Sequence, residues 1–185
     1  MKQFGFYFDQ EKCKGCYACV LSCRLKNHLE PDIYWRRIIW VEEDAAKDLY
    51  SFISLSCLHC ANPPCVKACQ VGAIVKREED GIVLVDKEKC LGKAECTRCL
   101  KACPYSIPQF GSSNNAKMEK CDFCIDMLNK GKKPDCVIHC PHSALDAGPI
   151  EELKAKYGAI YEVRGFKYSK SAKPSVIFRP KKVSS

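Results

Sequence analysis

The sequence predicts an α+β protein in which short strands and short helices are strung between four groups of cysteines. Three observations predict it. Sixteen of the 185 residues are cysteine. They recur in four groups of four at close spacing, an internal repeat that sets the architecture. The runs between the groups are short and β-rich, and helix-compatible runs of similar length follow the cysteines.

Taken in order, Phe4–Phe8 is an aromatic-rich opening strand. The first group, Cys13, Cys16, Cys19 and Cys23, runs into a helix over Ala18–Lys26. Trp35–Val41 and Tyr50–Leu55 are strand-like and lead to Cys57, Cys60, Cys65 and Cys69, with a helix over Val66–Gln70. Ala73–Lys76 and Ile82–Val85 flank Glu78-Glu79-Asp80-Gly81, a hairpin turn. Cys90, Cys96, Cys99 and Cys103 follow, with a helix over Thr97–Ala102. The last group is Cys121, Cys124, Cys136 and Cys140, with a helix over Asp122–Lys130. Pro149 suits the first turn of a further helix through Ile150–Lys154. Lys167–Ser185 holds six basic residues and no acid. It reads as a solvated tail or as a strap for a partner, and Val176-Ile177-Phe178 needs a surface to rest on.

So many thiols admit disulfides, zinc or iron–sulfur clusters. Disulfide scaffolds belong to secreted proteins. Met1–Asp9 lacks the pattern of a cleavable signal, and no apolar stretch of about 18 residues occurs to cross a membrane. Structural zinc takes two separated Cys-x2-Cys knuckles, which only the fourth group resembles. The first group, Cys-x2-Cys-x2-Cys-x3-Cys, carries a cysteine surplus to a knuckle. Its first three thiols can wrap one cubane cluster while the fourth, on the helix, points elsewhere; in two-cluster ferredoxins that fourth thiolate serves the other cluster. Gly15 and Gly92 let the backbone come close at two of these loops. The formal charge of +8 counts the cysteines as neutral. Four oxidised [4Fe–4S] clusters with their thiolates, at roughly −2 each, would cancel it. The basic residues thus need no nucleic acid. No nucleophile constellation, phosphate loop or dinucleotide fingerprint appears, so the protein is read as non-catalytic.

Five segments then carry a resemblance over nearly the whole sequence. They are Phe6-Tyr7-Phe8-Asp9 with Cys13-Lys14-Gly15-Cys16; Cys57-Leu58-His59-Cys60-Ala61-Asn62-Pro63-Pro64-Cys65; Cys103-Pro104-Tyr105; Lys120-Cys121-Asp122-Phe123-Cys124; and Ala144-Leu145-Asp146 with Gly148-Pro149. The sequence resembles the iron–sulfur B subunits of the dimethyl sulfoxide reductase family, four-cluster partners of molybdopterin oxidoreductases.

The resemblance implies two nested ferredoxin-like halves: an outer one from 1–49 and 105–166, and an inner one from 50–104, with 167–185 as tail. It implies four [4Fe–4S] clusters. Cluster 1 would take Cys13, Cys16, Cys19 and Cys140, and cluster 2 Cys57, Cys60, Cys65 and Cys103. Cluster 3 would take Cys90, Cys96, Cys99 and Cys69, and cluster 4 Cys121, Cys124, Cys136 and Cys23. Two departures stand out. Cys90-x5-Cys96 replaces the usual Cys-x2-Cys, so Lys93-Ala94-Glu95 is an insert around an intact cluster 3, or Lys93 stands in place of a ligand and the cluster has three irons. Gln70-Val71 follows Cys69 where proline is usual, whereas Pro104 and Pro141 are retained.

Trp35 and Trp40 read as packing rather than electron relays. His59 and His139 read as neutral or hydrogen-bonding neighbours of ligands. Lys12, Lys14, Lys67, Lys101 and Lys120 read as solvated surface that tunes potentials and docking. The function implied is an electron relay between a large molybdenum or tungsten pterin subunit and a membrane anchor, cytochrome, quinone pool or other redox partner. The alternatives are a stand-alone polyferredoxin, an electron-transfer subunit of a hydrogenase, carbon monoxide dehydrogenase or formate dehydrogenase, and a zinc-binding interaction module. The expected place is peripheral to the membrane within a complex, on the cytoplasmic side or, by co-export with a partner, the periplasmic side.

Overall fold

Phe4–Asp9 forms β1, and its alternation decides what surrounds it. Phe6 and Phe8 point into one core with Val176, Phe178, Leu145 and Ala147. Tyr7 points the other way, onto Ile150, Leu153 and Ile177. A strand apolar on both faces has to be covered on both. Here β1 is the centre of a three-stranded sheet in the order β8-β1-β9. β8 (Leu145–Pro149) pairs antiparallel and β9 (Val176–Arg179) parallel to it. The computed structural model describes residues 2–44 and 49–182.

α1 spans Ala18–Lys26, as expected. β2 (Arg36–Asp44) and β3 (Leu49–Ser56) pair antiparallel over the two predicted β-rich runs, each slightly longer than expected. α2 (Pro64–Lys67) starts earlier than the expected Val66, because Pro64 is pre-set for the first helical position. β4 (Ile74–Lys76) and β5 (Val83–Val85) are the predicted hairpin, its turn tied by Arg77 to Asp80 at 3.1 Å. α3 spans Arg98–Ala102. β6 (Gln109–Phe110) and β7 (Met118–Glu119) pair briefly.

The helix expected over Asp122–Lys130 is cut to α4, Ile125–Leu128. Phe123 and Cys124 lie at positive φ, so the backbone there curls into a loop and cannot be helical. α5 (Asp135–Ile138), which no sequence pattern suggested, follows Pro134. α6 runs Ile150–Tyr157, further than the expected Lys154. The largest correction is at the C-terminus. Val176–Arg179, expected in a solvated tail or a partner strap, lies on the protein's own sheet, and Ile177 is fully buried. The surface that Val176-Ile177-Phe178 needed is β1.

Two arrangements repeat. The β1–β8 pair lies by α1 packed on α5, and the β4–β5 hairpin lies by α2 packed on α3. A main core joins residues from β1, β3, β8 and β9. A smaller core of Ile74, Val83, Cys99 and Met118 lies beside the hairpin, against Cys65, Cys69 and Cys90.

Candidate metal centres

Helix spacing explains how the thiols are dealt out. Cys19 and Cys23 lie one turn apart on α1, with Cys65 and Cys69 at α2, Cys99 and Cys103 at α3, and Cys136 and Cys140 at α5. The thiols of each pair face different neighbours. Cys13, Cys16, Cys19 and Cys140 line one cavity of about 300 Å³ with Phe8, Ile38, Ser54 and Pro141. Cys57, Cys60, Cys65 and Cys103 line a second of about 390 Å³ with Pro63, Pro64, Pro104 and Lys120. Cys69, Cys90, Cys96 and Cys99 line a third of about 420 Å³ with Ile74 and Met118. Cys23, Cys121, Cys124 and Cys136 are all buried and within electrostatic reach of one another. Each of these sets of thiols draws on two of the cysteine groups.

Among the described residues, no three His, Cys, Asp or Glu side chains converge on a single metal ion. The donor set is all sulfur in apolar walls, which suits soft, thiolate-ligated iron–sulfur groups.

Burial dominates the thiols' chemistry. It pushes Cys13 and Cys99 up to about 11 and Cys23, Cys65 and Cys124 up to about 12. It raises Cys60, Cys121 and Cys136 as well. Neighbouring thiols add to the rise at Cys13 and Cys60. Thiols held this way stay protonated until a metal takes the proton's place. Several donors await the thiolates. The N–H of Phe123 points at Cys121 Sγ (3.4 Å), that of Ala144 at Cys140 Sγ (3.3 Å) and that of Met118 at Cys90 Sγ (3.5 Å). Asn27 donates to Cys23 Sγ at 3.7 Å.

Cys90-x5-Cys96 is a closed turn: the N–H of Cys96 donates to Gly92 O at 2.9 Å. Gly92 lies at φ +90°, and a Cβ there would collide with Asn115. Lys93 turns its ammonium to Gly111 O (2.7 Å) and Ser112 O (3.2 Å). Gly15, at φ +65°, is required for a related reason, since a Cβ would come within 2.6 Å of the Phe52 ring.

Lys120, expected as solvated surface, is buried. It donates to Cys121 O at 3.0 Å and to Val83 O. His59 is fully buried between Cys57 and Cys60, and its Nδ1 accepts the Val83 N–H at 3.0 Å. Burial, reinforced by Lys120, Lys76 and Arg36, holds it neutral. His139 is exposed beside Asp135. Trp35 is half-buried and donates to Glu119, while Trp40 is exposed and donates to the Tyr17 hydroxyl. Sequence reasoning passed over Arg36, which is buried among these thiols. Its one signal was an arginine inside a β-rich run.

A small α+β fold with sulfur-lined cavities set close together defines an iron–sulfur electron-transfer protein. The 4Fe-4S dicluster domain family matches residues 49–150. Over 96% of its length the sequence is 40% identical to the B subunit of the anaerobic dimethyl sulfoxide reductase of Escherichia coli (strain K12), covering 89% of that protein. It is 38% identical over 98% of its length to the corresponding B subunit from Haemophilus influenzae, covering 91% of it. It is 37% identical over 81% of its length to the thiosulfate reductase electron transfer subunit PhsB of Salmonella typhi, covering 78% of it. The protein belongs to the family of iron–sulfur B subunits of dimethyl sulfoxide reductases.

Proposed function

We propose that the protein holds four [4Fe–4S] clusters, at Cys13/Cys16/Cys19/Cys140, Cys23/Cys121/Cys124/Cys136, Cys57/Cys60/Cys65/Cys103 and Cys69/Cys90/Cys96/Cys99. It relays single electrons between a large molybdopterin subunit and a second redox partner such as a membrane anchor or cytochrome. A cluster bound at each site supplies one-electron chemistry, at potentials that range over about −700 to +450 mV with surroundings. The protein's own residues do the rest. Phe8, Ile38, Ile74, Met118, Pro63 and Pro64 keep water from the cavities. Backbone N–H groups at Phe123, Ala144 and Met118 favour the thiolates.

The sites follow one another in space. Cys19 and Cys23 on α1 link the first two, Lys120 lies at Cys121 and lines the cavity of Cys57, and Cys65 and Cys69 at α2 link the last two. Nested ferredoxin-like halves, 1–49 with 105–166 around 50–104, account for this by duplication. The repeat of a strand pair beside two packed helices supports that reading. The protein works at the membrane's periphery, bound to its partners, and none of its described helices is long and apolar enough to cross a membrane.

The single observation that carries the proposal is the pooling of each quartet from two distant cysteine groups. Cys23→Ser tests it. The variant loses the low-temperature paramagnetic signal of the site built on Cys121, Cys124 and Cys136, although Cys23 belongs to the first group. Loss instead of the Cys13-Cys16-Cys19 signal, or far fewer than about a dozen irons in the parent, overturns the assignment.

A further inference from the structure

Arg36 lies on β2 with 2% of its surface exposed. Its Nη1 donates to Ser54 O at 3.2 Å and Ser54 Oγ at 3.0 Å, and its Nη2 to Ser56 Oγ at 2.9 Å. The guanidinium rests over the Phe6 ring, 4.8 Å from its centroid. Ser54 Oγ lies in turn 3.3 Å from Cys19 Sγ. The guanidinium's electrostatic neighbours are Cys136, Cys19, Cys121 and Cys23. Among the described residues no carboxylate forms an ion pair with it.

A buried cation without a counter-charge is strongly unfavourable, and a guanidinium cannot escape by losing its proton. The groups able to balance it are sulfurs from two different quartets, Cys19 of one and Cys23, Cys121 and Cys136 of the other. We infer that Arg36 is a shared positioning residue that supplies the fixed buried positive charge of these two sites and raises both of their reduction potentials. The inference rests on the four-cluster reading. Each reduction adds one electron, drawn from the neighbouring site or from an external donor, and deepens the negative charge beside the guanidinium. Without water to screen it, that attraction favours the reduced form. The link through Ser54 reaches Cys19 alone, so the two sites feel separable parts of one charge.

The test is a reductive titration of the intact holoprotein under anaerobic conditions, followed by low-temperature paramagnetic resonance. Signals are assigned with Cys23→Ser and Cys69→Ser. Arg36→Met lowers the reduction equilibrium of both outer sites at least tenfold, or 59 mV per one-electron couple, and moves the Cys57 and Cys69 sites less. Arg36→Lys keeps the charge and recovers most of the shift. Holoprotein of Arg36→Met with all four potentials unmoved overturns the inference. If that variant yields no holoprotein, Ser54→Ala decides. A downward shift confined to the Cys19 site supports the role, and no shift there overturns it. The parent's iron content separately tests the four-cluster reading. A parent with its outer sites filled and an inner one missing leaves the Arg36 titration in force, and one without iron overturns both.

Discussion

His59 and Phe123 meet edge to face, with ring centroids 5.3 Å apart and planes at 82°. The contact joins the loop between Cys57 and Cys60 to the loop between Cys121 and Cys124. Both residues sit at positive φ, His59 at 41° and Phe123 at 66°, so each loop presents its ring by giving up regular structure. Phe123 also packs on Phe4 and Phe6 of β1, with centroids at 5.9 and 4.6 Å. One ring therefore ties the central strand to two thiol loops.

Phe123→Ala removes that ring from a fully buried place. The expected cost is about 3–5 kcal/mol, the range for truncating a large core aromatic. Phe123→Leu keeps much of the packing and costs less. Anaerobic thermal unfolding followed by cluster absorbance ranks the parent above Leu and Leu above Ala. Equal midpoints for parent and Ala would remove Phe123 from the set of structural anchors.

Asp146 on β8 gathers Lys133, Lys156 at 3.3 Å, the Tyr157 hydroxyl at 2.8 Å and the Ala147 N–H at 2.8 Å. Burial alone would raise its pKa, but the bonds from Lys133, Tyr157 and Ala147 outweigh it and hold the carboxyl below its usual range. A depressed carboxylate stabilises the fold fully above its unfolded pKa of about 3.9, and the benefit fades as pH falls through the lower folded value. Asp146→Asn is expected to cost about 1–2 kcal/mol at pH 7, since Lys133 and Lys156 are half exposed and screened. The gap from the parent closes below pH 4. Amide hydrogen exchange in the β1–β8 ladder from pH 7 down to about 3 measures it, and a gap that widens in acid contradicts the sign.

Much of this was legible because ligand spacing is local. Cys13 to Cys23 specify a loop and the helix α1 together, and α1 appears at its predicted bounds. The Asp80-Gly81 turn specified β4 and β5 in the same way. What stayed hidden depends on distant partners. Leu145–Pro149 and Val176–Arg179 are strands because β1 offers them two edges, one antiparallel and one parallel. Lys120 looked like surface because charge is usually solvated. It is buried because the carbonyls of Val83 and Cys121 converge on its ammonium. Arg36 was invisible for the same reason, as its counter-charges come from residues up to a hundred positions away.

The placement of β9 makes the C-terminal segment structural. Ile177 is fully buried on the α6 side of the sheet, against Tyr7, Ile150 and Leu153. Ile177→Ala should cost about 2–5 kcal/mol. Deletion from Ser175 onward strips a strand from β1 and removes the Ser175 hydroxyl from His59 O, where it donates at 3.0 Å. The truncated protein is expected to accumulate less iron and to lose exchange protection in β1. A truncation that retains parental iron and protection would restore the segment to the role of a free strap.

Lys93 decides how the Cys69/Cys90/Cys96/Cys99 site is read. Its ammonium is engaged by the carbonyls of Gly111 and Ser112, while Cys90 and Cys96 both line the cavity with Cys69 and Cys99. An ammonium spent on two carbonyls has no lone pair for iron, so the three-residue insert reads as a brace on the loop around a complete thiol set. Lys93→Met should therefore leave iron content and the paramagnetic signal of this site unchanged, at a stability cost of about 1–3 kcal/mol for the two charge-assisted bonds, less whatever solvent screens. Cys96→Ser should change the signal to that of a three-iron cluster or abolish it. If Lys93→Met rather than Cys96→Ser converts the signal, the lysine occupies a ligand position and the cluster at this site is not of the four-thiolate kind.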